Sequence, residues 1–240
     1  MPWSPVQVAW ALLVVFVAAL VQGSVGMGLG LVSVPFLLMI DPVFVPGPVL
    51  ASGIVLNVLM VWRERQAMAP SSVTWGVAGR AIGTVVTSVT LAQLPQDQTT
   101  AAISVSILVA VGLSLSGLHI EPTAWALLGA GTVSGVVGTL ASVGGPPMAL
   151  LLQKRSGPEL RATMGGFFIF GTLISLAGLA YAGRFGAAEA QASLLFLPAI
   201  VVGYLASGPL ASVLDRGHTR TGVLLVSAAS AAVLLARTLG

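Results

Sequence analysis

No cysteine occurs in the 240 residues, which excludes disulfides, thiolate metal sites and thiol nucleophiles. Charge is almost as scarce. Only 7% of the residues are Asp, Glu, Lys or Arg, against about 25% in a typical soluble domain, so the chain cannot clothe itself in a water-compatible surface. The only histidines, His119 and His218, fall in expected loops, and neither a metal centre nor a cofactor is expected. The acidic residues Asp41, Glu64, Asp97, Glu121, Glu159, Glu189 and Asp215 all lie at the ends of apolar runs or between them. Proton relays and cation sites inside membranes are built from such residues. Their absence from the runs disfavours cation transport and coupling through a buried carboxylate. No Gly-x-Ser-x-Gly element occurs and no histidine lies within a run, so an intramembrane hydrolase lacks its parts; the chain is not expected to be an enzyme.

What is present is apolar: 56% of the residues are hydrophobic and the mean hydropathy is +1.01. The composition specifies an all-α integral membrane protein. The formal net charge of +3 does not point to nucleic acid, because the Lys and Arg residues cluster in short loops, where they orient a membrane protein. The first run, Val6 to Val21, has no basic residue before it and is expected to be a retained span rather than a cleaved signal. The runs occupy nearly the whole sequence, and no soluble domain is expected at either end.

Apolar segments fall at 6–40, 43–62, 72–94, 98–118, 123–152, 163–182, 191–214 and 221–239. Six suit one crossing of roughly 20 residues. The other two, 6–40 and 123–152, are too long and are broken by glycine, at Gln22-Gly23-Ser24-Val25-Gly26-Met27-Gly28-Leu29-Gly30 and at Ser142-Val143-Gly144-Gly145-Pro146-Pro147. A straight helix over the first would be roughly 52 Å long; the bilayer core is about 30 Å. Loop charge decides how they run. Arg63 and Arg65, then Lys154, Arg155 and Arg161, then Arg216 and Arg220 occupy three loops, and cytoplasmic loops are enriched in such residues. All three loops share one side only if the broken stretches turn back as hairpins, leaving Arg184 and Arg237 outside. Each half is then a glycine-broken helix hairpin plus three transmembrane helices, about ten crossing or half-crossing helices in all. Five crossings per half make two inverted repeats, 1–118 and 119–240. Ser24-Val25-Gly26 recurs as Ser142-Val143-Gly144, and Asp41-Pro42 is echoed by Gly157-Pro158. Trp62, Trp75, Trp125 and Tyr181 fall at expected interfaces, and the pairs Gly79/Gly83 and Gly131/Gly135 suit close helix packing.

Paired breaks in two repeats point to a transporter's binding site. Helix starts at the breaks turn N–H groups and the positive end of the helix dipole toward the gap. The expected contacts are Gln22, Ser24, Gly26 and Gly28 in the first turn and Ser142, Gly144, Gly145 and Pro146 in the second. Ser52, Asn57, Thr172 and Ser175 are candidates from the neighbouring spans, as cavity contacts or as interhelical hydrogen bonds. Arg80, the only charge well inside a span, either faces the cavity or snorkels to the cytoplasmic surface.

Gly23-x-x-Gly26-x-Gly28-x-Gly30 with Pro35, Gly135-x-x-Gly138 leading into Val143-Gly144-Gly145-Pro146-Pro147, and Arg161-Ala162-Thr163 together resemble the sulfite exporter TauE/SafE family over essentially the whole chain. The first motif departs from the contiguous glycines of many members. The resemblance implies a secondary transporter, an exporter, of a small anion such as sulfite, a sulfonate or a related organosulfur anion, in a bacterial inner membrane. Its partners would be that anion, the lipid bilayer and, as an option, a second copy in a homodimer. A passive anion channel is the alternative, ahead of an intramembrane enzyme.

Overall fold

A computed structural model describes residues 3–116 and 120–214, with isolated positions 232 and 236. His119, Asp215, Arg216, His218, Arg220, Arg237 and the rest of the segment 221–239 lie outside the described residues. Within them the chain is all helix: α1 (Pro5–Val25), α2 (Leu29–Ile40), α3 (Gly47–Glu64), α4 (Pro70–Leu91), α5 (Gln96–Leu115), α6 (Ala124–Ala141), α7 (Gly145–Leu152), α8 (Gly157–Tyr181) and α9 (Ala187–Leu214). Five stretches, containing α1, α3, α6, α8 and α9, are long and apolar enough to cross a membrane.

Local chemistry sets the ends. Ser4 caps α1 in a reciprocal box with Gln7, and Pro5 opens the helix, satisfying donors that have no intrahelical partner. Ser156 caps α8, which begins at Gly157 rather than at the expected 163. The polar Gly-Pro-Glu-Leu-Arg turn belongs to the helix because Ser156 and Pro158 make it a good helix start.

Both broken stretches are hairpins. Trp3, just before α1, donates through Nε1 to Asp41, just after α2, at 2.8 Å, and Trp10 lies across a groove from Met39 and Ile40. In the second hairpin Glu121, before α6, meets Lys154, after α7, at 3.4 Å. Each therefore returns to the end where it began. The two enter from opposite ends. Glu64 and Arg161 are ion-paired at 2.9 Å, and Ala69 N–H donates to Thr163 Oγ1; the basic loops after α3 and α7 thus share one end, with the mouth of the second hairpin. The loop 42–46 and Arg184 line a common cavity at the other end, beside the mouth of the first.

The packing is symmetric under exchange of α1–α4 with α6–α9. α4 lies on α6 as α1 lies on α9, α3 touches α9 as α8 touches α4, and α3 lies on α8. Both hairpins break after the same interval: α1 ends at Val25 and α2 starts at Leu29, α6 ends at Ala141 and α7 starts at Gly145. Gly26 therefore matches Ser142, and both cap a helix in the left-handed region, at φ 95° and 58°. The Ser-Val-Gly echo is out of register with this by two residues, and the counterpart of Gly157-Pro158 is Gly47-Pro48, since each pair opens its helix.

α4 is polar inside and apolar outside. Ser72, Arg80, Thr84, Thr87 and Ser88 are buried while Ile82, Val85, Val86 and Val89 are exposed, the reverse of a soluble amphipathic helix. Its contact with α6 is made backbone to backbone through the expected glycines. A side chain at Gly83 would meet Gly135 Cα at 3.0 Å, and one at Gly135 would meet Gly83 Cα at 2.9 Å. Trp62, Trp125 and Tyr181 are 69%, 81% and 78% exposed, as interfacial aromatics are.

Candidate functional site

In the first turn Gly26 N–H closes on Gln22 O at 2.7 Å, and Gly28 takes φ 136°, which a side chain would strain. Gln22 then spans the break. Its Oε1 accepts from Leu29 N–H at 2.9 Å, and its Nε2 donates to Asn57 Oδ1 at 3.0 Å. Asn57 is fixed in turn by Nδ2 donating to Gly53 O. The start of α2 is thus aimed by a side-chain amide that occupies one of its free N–H groups.

The second turn is built differently. Ser142 N–H closes on Gly138 O at 2.9 Å, Ser142 Oγ donates to Pro46 O at 2.9 Å, and Ser134 Oγ donates to Gly144 O. Pro146 and Pro147 sit in the first turn of α7 and remove two of the N–H groups a helix start would offer. The half-sites are unequal: the first is an amide-capped helix start, the second a turn with few donors.

The turns touch. A side chain at Gly30 would run into the Ser142 carbonyl, and one at Gly145 would stand 3.1 Å from Met27 Cβ. Between them lies a cavity of about 30 Å³, room for a water molecule or two. Gln22, Gly28, Asn57, Ser142, Gly145 and Thr172 line it, about half of the expected contacts. The others lie elsewhere. Ser24 Oγ bonds back to Leu20 O at 2.8 Å and Ser52 Oγ to Pro48 O at 2.7 Å; buried serines in helices commonly satisfy themselves this way. Gly26 borders a separate cavity toward the basic end. Gly144 and Pro146 are buried in the turn and are not among the cavity's lining residues.

Arg80 does not snorkel. It is 1% exposed and sits at the middle of α4, where its side chain is too short to reach either interface. Nη1 donates to Ser134 Oγ at 3.2 Å and Nη2 to Ser175 Oγ at 3.3 Å, and Nε has no partner. Its guanidinium lies 5.3 Å from the Phe167 ring centroid and 6.0 Å from that of Phe168. Phe168 and Thr172 also form the cavity wall, so the cation stands directly behind that wall. Among the described residues no carboxylate pairs with it. An unneutralised buried cation is costly.

The model of the sulfite exporter TauE/SafE family matches residues 11–234. The chain belongs to that family. Neither a curated protein nor a solved structure matches it. Membership in the TauE/SafE family makes this a membrane transport protein of a sulfite exporter family.

Two groups in this TauE/SafE protein escape sequence reading. One is a hydroxyl cluster under Arg80: Thr139 Oγ1 lies 2.9 Å from Ser175 Oγ and 3.1 Å from Thr84 Oγ1. Thr84 and Thr139 are ordinary small residues in spans, and only the packing of α4, α6 and α8 converges them. The other clamps the first turn. Arg161 Nη1 donates to Ser24 O at 3.2 Å and its Nε to Glu64 Oε1 at 2.9 Å, while Arg63 Nη2 donates to Gly23 O at 3.0 Å. Loop charge marked these arginines for orientation alone, yet they reach back onto the carbonyl end of α1, where cations are favoured.

Proposed function

We propose that this protein is a secondary transporter, working as an exporter, for a small anion such as sulfite, a sulfonate or a related organosulfur anion. The anion binds near the bilayer midplane between the two broken hairpins, in the cavity lined by Gln22, Asn57, Ser142 and Thr172. Repeats 1–118 and 119–240 lie inverted across the membrane, with the basic end in the cytoplasm of a bacterial inner membrane. The observation that carries this reading is Arg80: a mid-membrane cation without a carboxylate, set behind the cavity wall. A cavity of only about 30 Å³ between the two turns favours a carrier over a passive channel.

In proteoliposomes the protein is expected to drive saturable uptake of radiolabelled sulfite or a short sulfonate, with counterflow when unlabelled anion is preloaded. Flux that rises linearly with concentration would establish the channel instead, and no flux of any sulfur oxyanion or sulfonate ends the proposal. Sidedness has its own test. Because the chain has no cysteine, Ser156→Cys is a single reporter in the basic loop before α8, and an impermeant maleimide is expected to label it only from the cytoplasmic face. Labelling from outside would remove the inverted arrangement.

A further inference from the structure

Three cavities follow one another along a single face of α8. Leu160 and Met164 border one of about 80 Å³ at the basic end. Phe168 and Thr172 border the central one. Leu179, with Gly183 just beyond the helix, borders one of about 130 Å³ at the opposite end. From 160 to 179 the helix rises about 28 Å at 1.5 Å per residue, nearly the thickness of a bilayer core. α3 runs beside it in the reverse sense, from Pro46 in the third cavity to Val49, Gly53 and Asn57 in the central one.

What separates the cavities is, in each case, one of the broken turns. Gly26 and Met27 face the basic-end cavity while Gly28 faces the central one, so the three-residue turn is itself the partition, with Met27 pressed on Gly145. On the other side Leu140 faces the third cavity while Ser142 and Val143 face the central one. There Ser142 Oγ holds Pro46 O, at the start of α3.

The two partitions are fastened by different chemistry. Behind the first, Glu64 accepts from Arg161 Nε at 2.9 and 3.1 Å and lies 3.3 Å from Arg63 Nε, and both guanidinium groups donate onward to the last carbonyls of α1. The second partition is tied to α3 by one neutral hydrogen bond.

We propose that these turns are the two gates of one permeation route, the first closing the central cavity toward the basic end through the Arg63–Glu64–Arg161 clamp, the second closing it toward the opposite end through Ser142 and Pro46. The inference rests on the central cavity being the anion site. The weaker fastening makes the second gate the one that opens more readily in the unloaded protein, so the resting site exchanges with the face opposite the basic loops.

The cysteine-free chain allows a direct test. Thr172→Cys places one thiol on the central cavity, and the impermeant anionic reagent sulfonatoethyl methanethiosulfonate is applied to right-side-out or inside-out vesicles. Glu64→Gln is expected to raise the modification rate from the basic face about tenfold and leave the other face unchanged, as loss of a charge-assisted hydrogen bond implies. Ser142→Gly removes the hydroxyl while keeping the backbone, because glycine is at ease at φ 58°; it is expected to raise the rate from the opposite face about fivefold. Arg161→Lys is the second variant for the clamp and must act on the same face as Glu64→Gln, with thermal melting in detergent confirming each fold. A variant that accelerates labelling at the wrong face, or well-folded variants that change neither rate, overturns the gates. Failure of the gates leaves saturable flux intact in the unmodified protein, whereas failure of the anion site abolishes flux while labelling still follows the turns.

Discussion

Replacing Arg80 with glutamine is expected to cut sulfite or sulfonate transport at subsaturating concentration by roughly 10- to 30-fold, while Arg80→Lys retains activity within about threefold of the original. The argument is electrostatic. An anion in the central cavity would sit behind Phe168, on the other side of which the guanidinium lies 6.0 Å from the ring centroid. With the ring between them two unit charges about 10 Å apart attract by roughly 1.5 to 2 kcal/mol at an effective dielectric constant of about 20, and each 1.36 kcal/mol is a factor of ten. No other described cation lies at this depth to compensate: Arg63, Arg65, Lys154, Arg155 and Arg161 belong to the basic end and Arg184 to the other. Lysine keeps the charge but loses the fork that reaches Ser134 and Ser175 at once, hence the partial activity. Proteoliposome uptake measured at equal amounts of correctly eluting protein checks it. Equal activity of the glutamine variant would show that the cation is only a packing element.

The second large effect concerns stability. Gly83→Val or Gly135→Val is expected to lower the detergent melting midpoint by roughly 2 to 12 °C, the shift that about 1 to 3 kcal/mol of overpacking produces in a chain of this size. Both glycines lie where α4 and α6 meet backbone to backbone, Gly83 against Gly135 Cα and Val136 N and Gly135 against Gly83 Cα and Thr84 N, so nothing flexible can yield. Gly129→Ala is the control: a side chain there meets no atom within 4 Å, and it is expected to leave the midpoint unchanged or to raise it slightly by adding a better helix former. If the valine variants melt like the original, the close approach of α4 and α6 is not what holds the two halves together.

The hairpins and the shared end of the two described basic loops were legible because both follow from rules that act on the chain locally. Glycine breaks a long apolar run wherever it lies, and Lys and Arg in short loops report sidedness without reference to any partner. That Gln22, Asn57, Ser142 and Thr172 would line the cavity at the break could be expected for a similar reason, since polar residues near such a break have few places to go. Ser24 and Ser52 could not be told from them, because whether a serine bonds its own helix depends on rotamer and neighbours rather than on position. The two turns are unlike in chemistry, in keeping with the different placing of Pro35 and of Pro146-Pro147 in the sequence: one is capped by Gln22, and the other loses donors to Pro146 and Pro147. The Ser-Val-Gly echo misled by two residues, since Gly26 and Ser142 are equivalent by backbone shape and not by side chain. The hydroxyl cluster of Thr84, Thr139 and Ser175 needed three helices from both halves to converge, and no window along the chain contains that information.

The inverted polarity of α4 bears on how the protein is made. Its exposed valines suit lipid, but the opposite face carries Arg80 and a row of hydroxyls, and an arginine at the centre of a spanning helix resists insertion by about 2.5 to 3.5 kcal/mol. α4 is accordingly missing from the helices apolar enough to enter the membrane by composition alone. The groups that shelter that face, Ser134, Thr139 and Ser175, belong to α6 and α8, which the ribosome delivers later. The principal partner of α1, on the same pattern, is α9. Each of these helices finds its main partner far along the chain, so its buried face is completed only once the later helices have been made.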